Sequence, residues 1–245
     1  MWRNAARQIG IIKNHPFHPC FQIKADQQAK GVVFFMHGLG DSGMGWADAF
    51  ANYCADPNVR YIFPSAQEMP VTLNMGMRMP SWFDIKELSA SASDRYDLDQ
   101  LNRTSEELVK IVDDVLEEEG LGRENLVIGG FSQGGALALN IALNHYDNVA
   151  GILAMSTFLP IEESHEMLQK FLNKEKSLPG PISQHHGTAD GVLPFYFAQQ
   201  SAEFFKKVAE KEEDFQFFSY EGMEHSSCLE ELQNVNDFVK KVLKL

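Results

Sequence analysis

An α/β fold, with a mostly parallel central sheet and helices on both faces, is predicted for this chain by three observations. Short apolar runs alternate with stretches of helical periodicity, which is how a sheet covered on both sides reads in sequence. Apolar residues make up 44 % of the 245 positions, enough for one continuous core, and that length suits a single α/β domain. One apolar run, Leu126 to Ile128, passes straight into Gly130-Phe131-Ser132-Gln133-Gly134 and then into a small-residue helix opening Ala136-Leu137-Ala138-Leu139. The pentapeptide alone is weak evidence. Its setting between strand and helix makes it a nucleophile elbow, a turn too tight for side chains at Gly130 and Gly134.

Residues 1–24 carry Arg3, Arg7, Lys13 and Lys24 with no acid before Asp26, and Pro16 and Pro19 interrupt any long amphipathic helix. They are expected to form a flexible N-terminal extension ahead of a single domain over residues 25–245, with Phe17 to Ile23 as an early antiparallel edge strand. A cytoplasmic protein is favoured over organellar import through residues 1–24. Buried strands follow at Val32 to Met36, Tyr61 to Phe63, Leu126 to Ile128, Gly151 to Met155, Pro181 to His185 and Phe215 to Tyr220.

Between them, Leu98, Leu101, Leu108, Ile111, Val112 and Val115 share one helical face. That helix should end at the Glu117-Glu118-Glu119 run before Gly120, as a solvated acidic tip. Ala202, Phe205, Val208 and Ala209 mark a second helix. Leu229, Leu232, Val235, Phe238, Val239 and Val242 mark the last, with Ser227 and Glu230 as its capping box. Ala66 to Asp97, which holds Pro70, Pro80 and several methionines, and Ile161 to Gly180 break the rhythm.

The net charge of −13 argues against a nucleic-acid partner, which needs clustered Lys and Arg. No stretch approaches the roughly 20 apolar residues of a membrane helix, so no stable membrane insertion is expected. Cys20, Cys54 and Cys228 are an odd, widely spaced set without zinc-like pairing, which suits a reducing compartment. No metal or cofactor is expected.

A serine hydroxyl needs a base, usually a histidine oriented by a carboxylate. In hydrolases with this elbow the chain order is Ser, acid, His. Downstream of Ser132 the best-placed acid is Asp190, which follows a strand at the carboxyl end of the sheet. Asp147 sits just past the helix after Ser132, and Asp214 precedes a strand. The best base is His225, between the last strand and the last helix. His145, His165, His185 and His186 fail on position.

The developing oxyanion needs two donors. The backbone N–H of Gln133 is one, and that of Leu39, in the glycine loop His37 to Gly43, is the other. No Gly-x-x-x-x-Gly-Lys pattern supports a phosphate-binding alternative for that loop. His37 has no second ligand at metal spacing and is read as a residue that fixes the loop.

Four stretches, His37-Gly-Leu-Gly-Asp-Ser-Gly43, Pro70 to Ile85 (Pro-Val-Thr-Leu-Asn-Met-Gly-Met-Arg-Met-Pro-Ser-Trp-Phe-Asp-Ile), Gly129 to Ala136 and Gly222 to Cys228, stand in this order along the chain. Together they resemble the acyl-protein thioesterase branch of the phospholipase/carboxylesterase family of α/β-hydrolases. The resemblance implies an α/β-hydrolase fold and Ser132, Asp190 and His225 as the triad, in agreement with order and position. It also implies hydrolysis of long-chain acyl thioesters on lipidated cysteines, and of lysophospholipids and small esters.

Three departures fall outside the triad. His185 stands where relatives often have a cysteine and Thr188 where they often have an acid. Ser156-Thr157-Phe158-Leu159-Pro160 resembles a segment that usually carries Cys-Trp before Leu-Pro. These departures are expected to bear on acyl-chain selectivity. Some relatives carry a palmitoylated cysteine near the N-terminus. Here Trp2 follows Met1 and Cys20 is a poor substitute, so no such anchor is expected.

An acyl chain needs an apolar groove, because each buried methylene contributes about 0.8 kcal/mol. Leu73, Met75, Met77, Met79, Trp82 and Phe83 are expected on one wall, with Phe158 and Leu159 opposite. The expected activity is removal of fatty acyl groups from S-acylated proteins, with acyl lipids as further substrates. A carboxylesterase or lysophospholipase is the alternative within enzymes, and a non-catalytic binding protein the alternative outside them.

Overall fold

The protein's structure, a computed structural model, describes residues 7–13, 15–87, 95–160 and 165–245. Trp2, Arg3 and the start of the mixed segment after Pro160 lie outside the described residues. The strands are β1 (Ile9–Ile12), β2 (Cys20–Ile23), β3 (Gly31–Met36), β4 (Val59–Phe63), β5 (Glu68–Val71), β6 (Met77–Pro80), β7 (Leu126–Phe131), β8 (Gly151–Met155), β9 (Ile182–Gly187) and β10 (Phe215–Tyr220). The helices are α1 (Gly43–Tyr53), α2 (Leu98–Glu119), α3 (Gln133–His145), α4 (Glu166–Leu172), α5 (Phe195–Val208) and α6 (Leu229–Leu243).

Eight strands form one sheet in the order β1-β2-β4-β3-β7-β8-β9-β10, and β5 and β6 form a separate hairpin. From β4 to β10 every pairing is parallel, which requires a crossover between neighbours and puts helices on both faces. On one face α1 and α6 bring Trp46, Phe50, Leu232, Val235 and Phe238 against Phe35, Phe63 and Leu153. On the other, α2, α3 and α5 bring Leu108, Val112, Leu137, Ile141 and Phe205 against Val32, Phe34 and Ile128. The predicted α/β architecture is what the chain adopts.

Local chemistry explains the element ends. Asp97 caps α2 by accepting from the Gln100 N–H at 2.9 Å, and Gly120 closes it at φ 66°, a conformation that favours glycine.

Four expectations change. The first 24 residues are not all extension: β1 and β2 pair antiparallel, and β2 joins β4. The unpaired groups of the parallel sheet's edge draw this segment in, so β1, not Phe17 to Ile23, is the edge strand. The acidic tip of α2 is not merely solvated, because buried Arg60 of β4 binds Glu118 and Glu119 at 2.6 and 2.8 Å. The last helix starts one residue later than expected, with Cys228 as N-cap and no side-chain cap. Glu231 is therefore the third helical residue and lies fully buried, while Glu230 is exposed. Helices α1 and α4 were not anticipated.

Candidate active site

The elbow forms where β7 meets α3. Ser132 adopts φ 53° and ψ −119°, a conformation that costs a non-glycine residue about 1–3 kcal/mol. Surrounding bonds hold it there. The Ser132 N–H donates to the Met155 carbonyl at 2.9 Å, and its carbonyl accepts from the Thr157 hydroxyl at 2.7 Å and the Ala136 N–H at 3.0 Å. Gly134 is required by close approach, since a Cβ there would meet the carbonyl oxygens of Met36 and His37.

His225 Nε2 lies 2.9 Å from Ser132 Oγ, and His225 Nδ1 lies 2.7 Å from Asp190 Oδ2. The three predicted residues are thus brought into one hydrogen-bonded line. Asp190 follows β9, and its other oxygen accepts the Val192 and Leu193 N–H groups at 2.9 and 2.8 Å. Burial alone would raise its pKa. Hydrogen bonds from His186, His225 and Leu193, with the charge on His225, instead hold the carboxyl well below the usual carboxylate range.

The loops that carry acid and base are stitched together. The Thr188 N–H donates to the Tyr220 carbonyl at 2.9 Å, the Thr188 hydroxyl accepts from the Gly222 N–H at 2.9 Å, and the Ala189 N–H donates to the Met223 carbonyl at 3.1 Å. Thr188 therefore sets the His225 turn against the Asp190 loop. The His225 ring packs against Phe131, with centroids 4.8 Å apart.

The glycine loop passes beside the nucleophile: a Cβ on Gly38 would lie 3.3 Å from that of Ser132. Among the described residues the backbone N–H groups of Leu39 and Gln133 donate to nothing, which leaves both free for a ligand oxygen. His37 is fully buried behind the loop. Its Nε2 accepts from the Ala66 N–H at 2.9 Å, so its proton sits on Nδ1, 2.7 Å from the Gly38 carbonyl. Trp82 Nε1 donates to the His37 carbonyl at 2.8 Å.

Sequence reasoning missed the Gln133 side chain. Its Oε1 accepts from the Trp82 N–H at 3.1 Å, and its Nε2 donates to Ser81 Oγ at 2.9 Å and the Phe83 carbonyl at 2.7 Å. It also missed His186, set aside as a strand residue. The signal was its spacing four residues before Asp190, across the end of β9.

The eight residues expected to bind an acyl chain are dispersed by depth, with Met79 half-buried and its sulfur beside Gly40 of the glycine loop. Phe83 is fully buried and packs edge-on against Tyr96, so it supports the loop from within and offers a ligand no surface. Trp82 and Phe158 are buried to 3 % and 4 % exposure, Phe158 stacked on Tyr96 at 5.2 Å. Leu73 and Leu159 are half-buried at the core's edge. Met75 and Met77 lie at the tip of the β5–β6 hairpin, 100 % and 65 % exposed. The hairpin reaches the glycine loop through the Gly40 N–H, which donates to the Pro80 carbonyl at 2.8 Å.

His185 points to the other side of the sheet. Its Nδ1 meets Tyr220 Oη at 2.7 Å and its Nε2 meets Ser183 Oγ at 2.8 Å, and Asn234 of α6 donates to the same Tyr220 oxygen. Burial lowers its pKa to about 3, so it is a neutral packing residue remote from the hairpin.

A family model described as phospholipase/carboxylesterase matches residues 18–243. The chain is 38 % identical over 224 residues to acyl-protein thioesterase 1 of Debaryomyces hansenii, covering 88 % of this chain and 93 % of that one. It is 38 % identical over 245 residues to acyl-protein thioesterase 1 of Mycosarcoma maydis, covering 96 % and 99 %. Among solved structures, Arabidopsis thaliana SOBER1 superposes with a TM-score of 0.74 at 29 % identity, covering 87 % of this chain and 99 % of that one. Zea mays acyl-protein thioesterase 2 shares the fold, with a TM-score of 0.72 at 23 % identity, covering 91 % and 98 %.

Proposed function

The chain belongs to the phospholipase/carboxylesterase family, and from that premise we propose that it is an acyl-protein thioesterase, a serine hydrolase that removes long-chain fatty acyl groups from S-acylated cysteines of proteins. The observation that carries this reading is the continuous line from Ser132 Oγ through His225 to Asp190.

Ser132 Oγ attacks the thioester carbonyl as His225 Nε2 takes its proton, and Asp190 stabilises the resulting imidazolium. The tetrahedral oxyanion sits between the N–H groups of Leu39 and Gln133. Its collapse breaks the carbon–sulfur bond, and the proton on His225 goes to the departing cysteine sulfur. Water then attacks the acyl-serine as His225 takes a proton from it. The same proton returns to Ser132 Oγ as the fatty acid leaves. Every proton moves through His225, so the cycle balances without a cofactor.

The acyl chain lies against Leu73 and Leu159, with Phe158 and Trp82 beneath. It extends towards Met75 and Met77, whose unbranched thioethers adapt to a flexible chain. No helix among the described residues is long and apolar enough to cross a membrane. The three widely spaced cysteines support a reducing, cytoplasmic location.

A fluorophosphonate probe should label Ser132 of the folded protein. Failure to label would leave a non-catalytic binding protein as the reading. Turnover of an S-palmitoyl peptide should exceed that of lysophosphatidylcholine and of a short ester, and the reverse order would make the protein a lysophospholipase or carboxylesterase.

A further inference from the structure

Asp190 Oδ2 is shared by two imidazoles. His225 Nδ1 lies 2.7 Å from it, and His186 Nε2 lies 3.3 Å from the same oxygen. His186 is fully buried on β9, its ring tilted against Phe195 of α5 at 6.0 Å. The same Nε2 is 2.9 Å from the Leu193 carbonyl, an oxygen that can only accept. The proton of His186 therefore sits on Nε2 and is donated to Leu193 O, with Asp190 Oδ2 as a second, longer contact at 3.3 Å. Its other nitrogen, Nδ1, is buried without a partner among the described residues. A second proton there would be an unpaired N–H on a buried cation, which is far costlier than an unpaired lone pair.

We propose that His186 is a positioning residue for the reaction: an uncharged Nε2–H donor that holds the Asp190 carboxylate in place for His225. This rests on the reading of Ser132, His225 and Asp190 as a triad. A carboxylate offers about four acceptor sites. Asp190 fills two with the Val192 and Leu193 N–H groups and one with His225, and His186 fills the fourth. The donor's lack of charge matters. A lysine or arginine here would pair with the carboxylate and weaken the field that stabilises the His225 imidazolium, whereas a neutral N–H fixes the group and leaves its charge in place. Among the described residues, His186 and His225 are the titratable side chains in contact with Asp190, and the α5 side presents Phe195.

The test compares His186→Leu with His186→Gln, whose amide nitrogen can stand near the position of Nε2. His186→Leu should lower kcat by about ten- to a hundredfold, the scale expected when a triad group is misplaced, with KM for the S-palmitoyl peptide unchanged. His186→Gln should recover most of the loss. Equal loss in both variants, or none in either, would overturn the proposal. Should His186→Leu fail to fold, nitrogen-15 NMR of the wild-type histidines decides alone. It should show His186 with Nε2 protonated and Nδ1 bare at neutral pH, and a protonated Nδ1 would refute the assignment. That measurement is independent of turnover. Failure of the wild type to react with the fluorophosphonate would instead sink the triad reading.

Discussion

Gln133 Nε2 donates to the Phe83 carbonyl at 2.7 Å, so the residue following the nucleophile also holds the loop beneath the hairpin. One side chain thereby couples the elbow to the region expected to meet the acyl chain. Gln133→Ala keeps the backbone N–H but leaves the Trp82 N–H without a partner in a buried setting, while the Phe83 carbonyl keeps the Ser81 hydroxyl as donor at 2.7 Å. Such an orphan costs about 1–3 kcal/mol, so urea unfolding should show a loss of about that size. Turnover of a palmitoyl substrate should fall further than that of an acetyl ester. An unchanged urea midpoint would show that Gln133 does not hold the loop.

Gly134 packs against the end of β3, where an added Cβ would meet the backbone oxygens of Met36 and His37. Neither oxygen belongs to a flexible side chain, so relief requires moving α3 away from the sheet. Gly134→Ala should yield protein whose Ser132 no longer labels with a fluorophosphonate and whose thermal unfolding is markedly lower or uncooperative. Wild-type labelling rates would mean that the elbow tolerates the shift.

The sheet was most legible at β3, β7 and β8, strands buried on both faces whose sequences are uninterrupted apolar and glycine runs. It was less so at β9, which carries Ser183, Gln184, His185 and His186, and at the edge strand β10, which carries Gln216 and Ser219. The elbow was legible because its glycines answer a local steric demand. Helix α1 was not. It holds Gly43 and Gly45, poor helix formers, and exists because Trp46 and Phe50 pack on Phe35 at 4.9 and 5.1 Å. The β5–β6 hairpin was hidden by Pro70 and Pro80, which suit a two-stranded edge and not a central strand. The order and position of Asp190 and His225 could be read from the chain. The contacts of Gln133 and Thr157 could not, since each joins segments that only the folded sheet brings together.

Asp190→Asn should keep the geometry of the site but present the wrong hydrogen-bonding pattern to His225, lowering kcat by about 10³–10⁴-fold. It also changes the response to acid. The folded-state pKa of Asp190 is depressed, so its contribution to stability is present above the unfolded value near 3.9 and is lost as pH falls through the lower folded value. The wild type should be the more stable protein at pH 7, and the difference should narrow steadily below about pH 4. A constant difference across an acid titration followed by circular dichroism would contradict that sign.

Glu231 gives the opposite case. Burial raises its pKa to about 7, against smaller lowering contributions from Ser227 and the Cys228 N–H. For an acid with a raised folded pKa, stability is fully present below the unfolded value and is lost as pH rises to the folded value. Glu231→Gln removes the group that must ionise inside the protein. It should leave stability nearly unchanged at pH 4 and raise it by up to about 3 kcal/mol at pH 8, at 1.36 kcal/mol per pKa unit. Melting curves at the two pH values check this. Destabilisation at pH 8 would mean that the carboxylate makes compensating contacts.

Met75 and Met77 are the largest exposed apolar side chains near the hairpin tip, and neither contributes to the core. Their replacement should therefore leave thermal stability unchanged while removing contact with the far end of a long acyl chain. Two exposed methionines that together cover one to two methylenes contribute about 1–2 kcal/mol. The double variant Met75→Ser, Met77→Ser should raise KM for an S-palmitoyl peptide by roughly five- to thirtyfold, that energy expressed as a ratio. An S-acetyl or S-butyryl peptide is too short to reach the tip and should be turned over as by the wild type. Equal effects on short and long chains would assign the methionines to the protein part of the substrate. No effect on either would place the acyl path along Leu73, Phe158 and Leu159 alone.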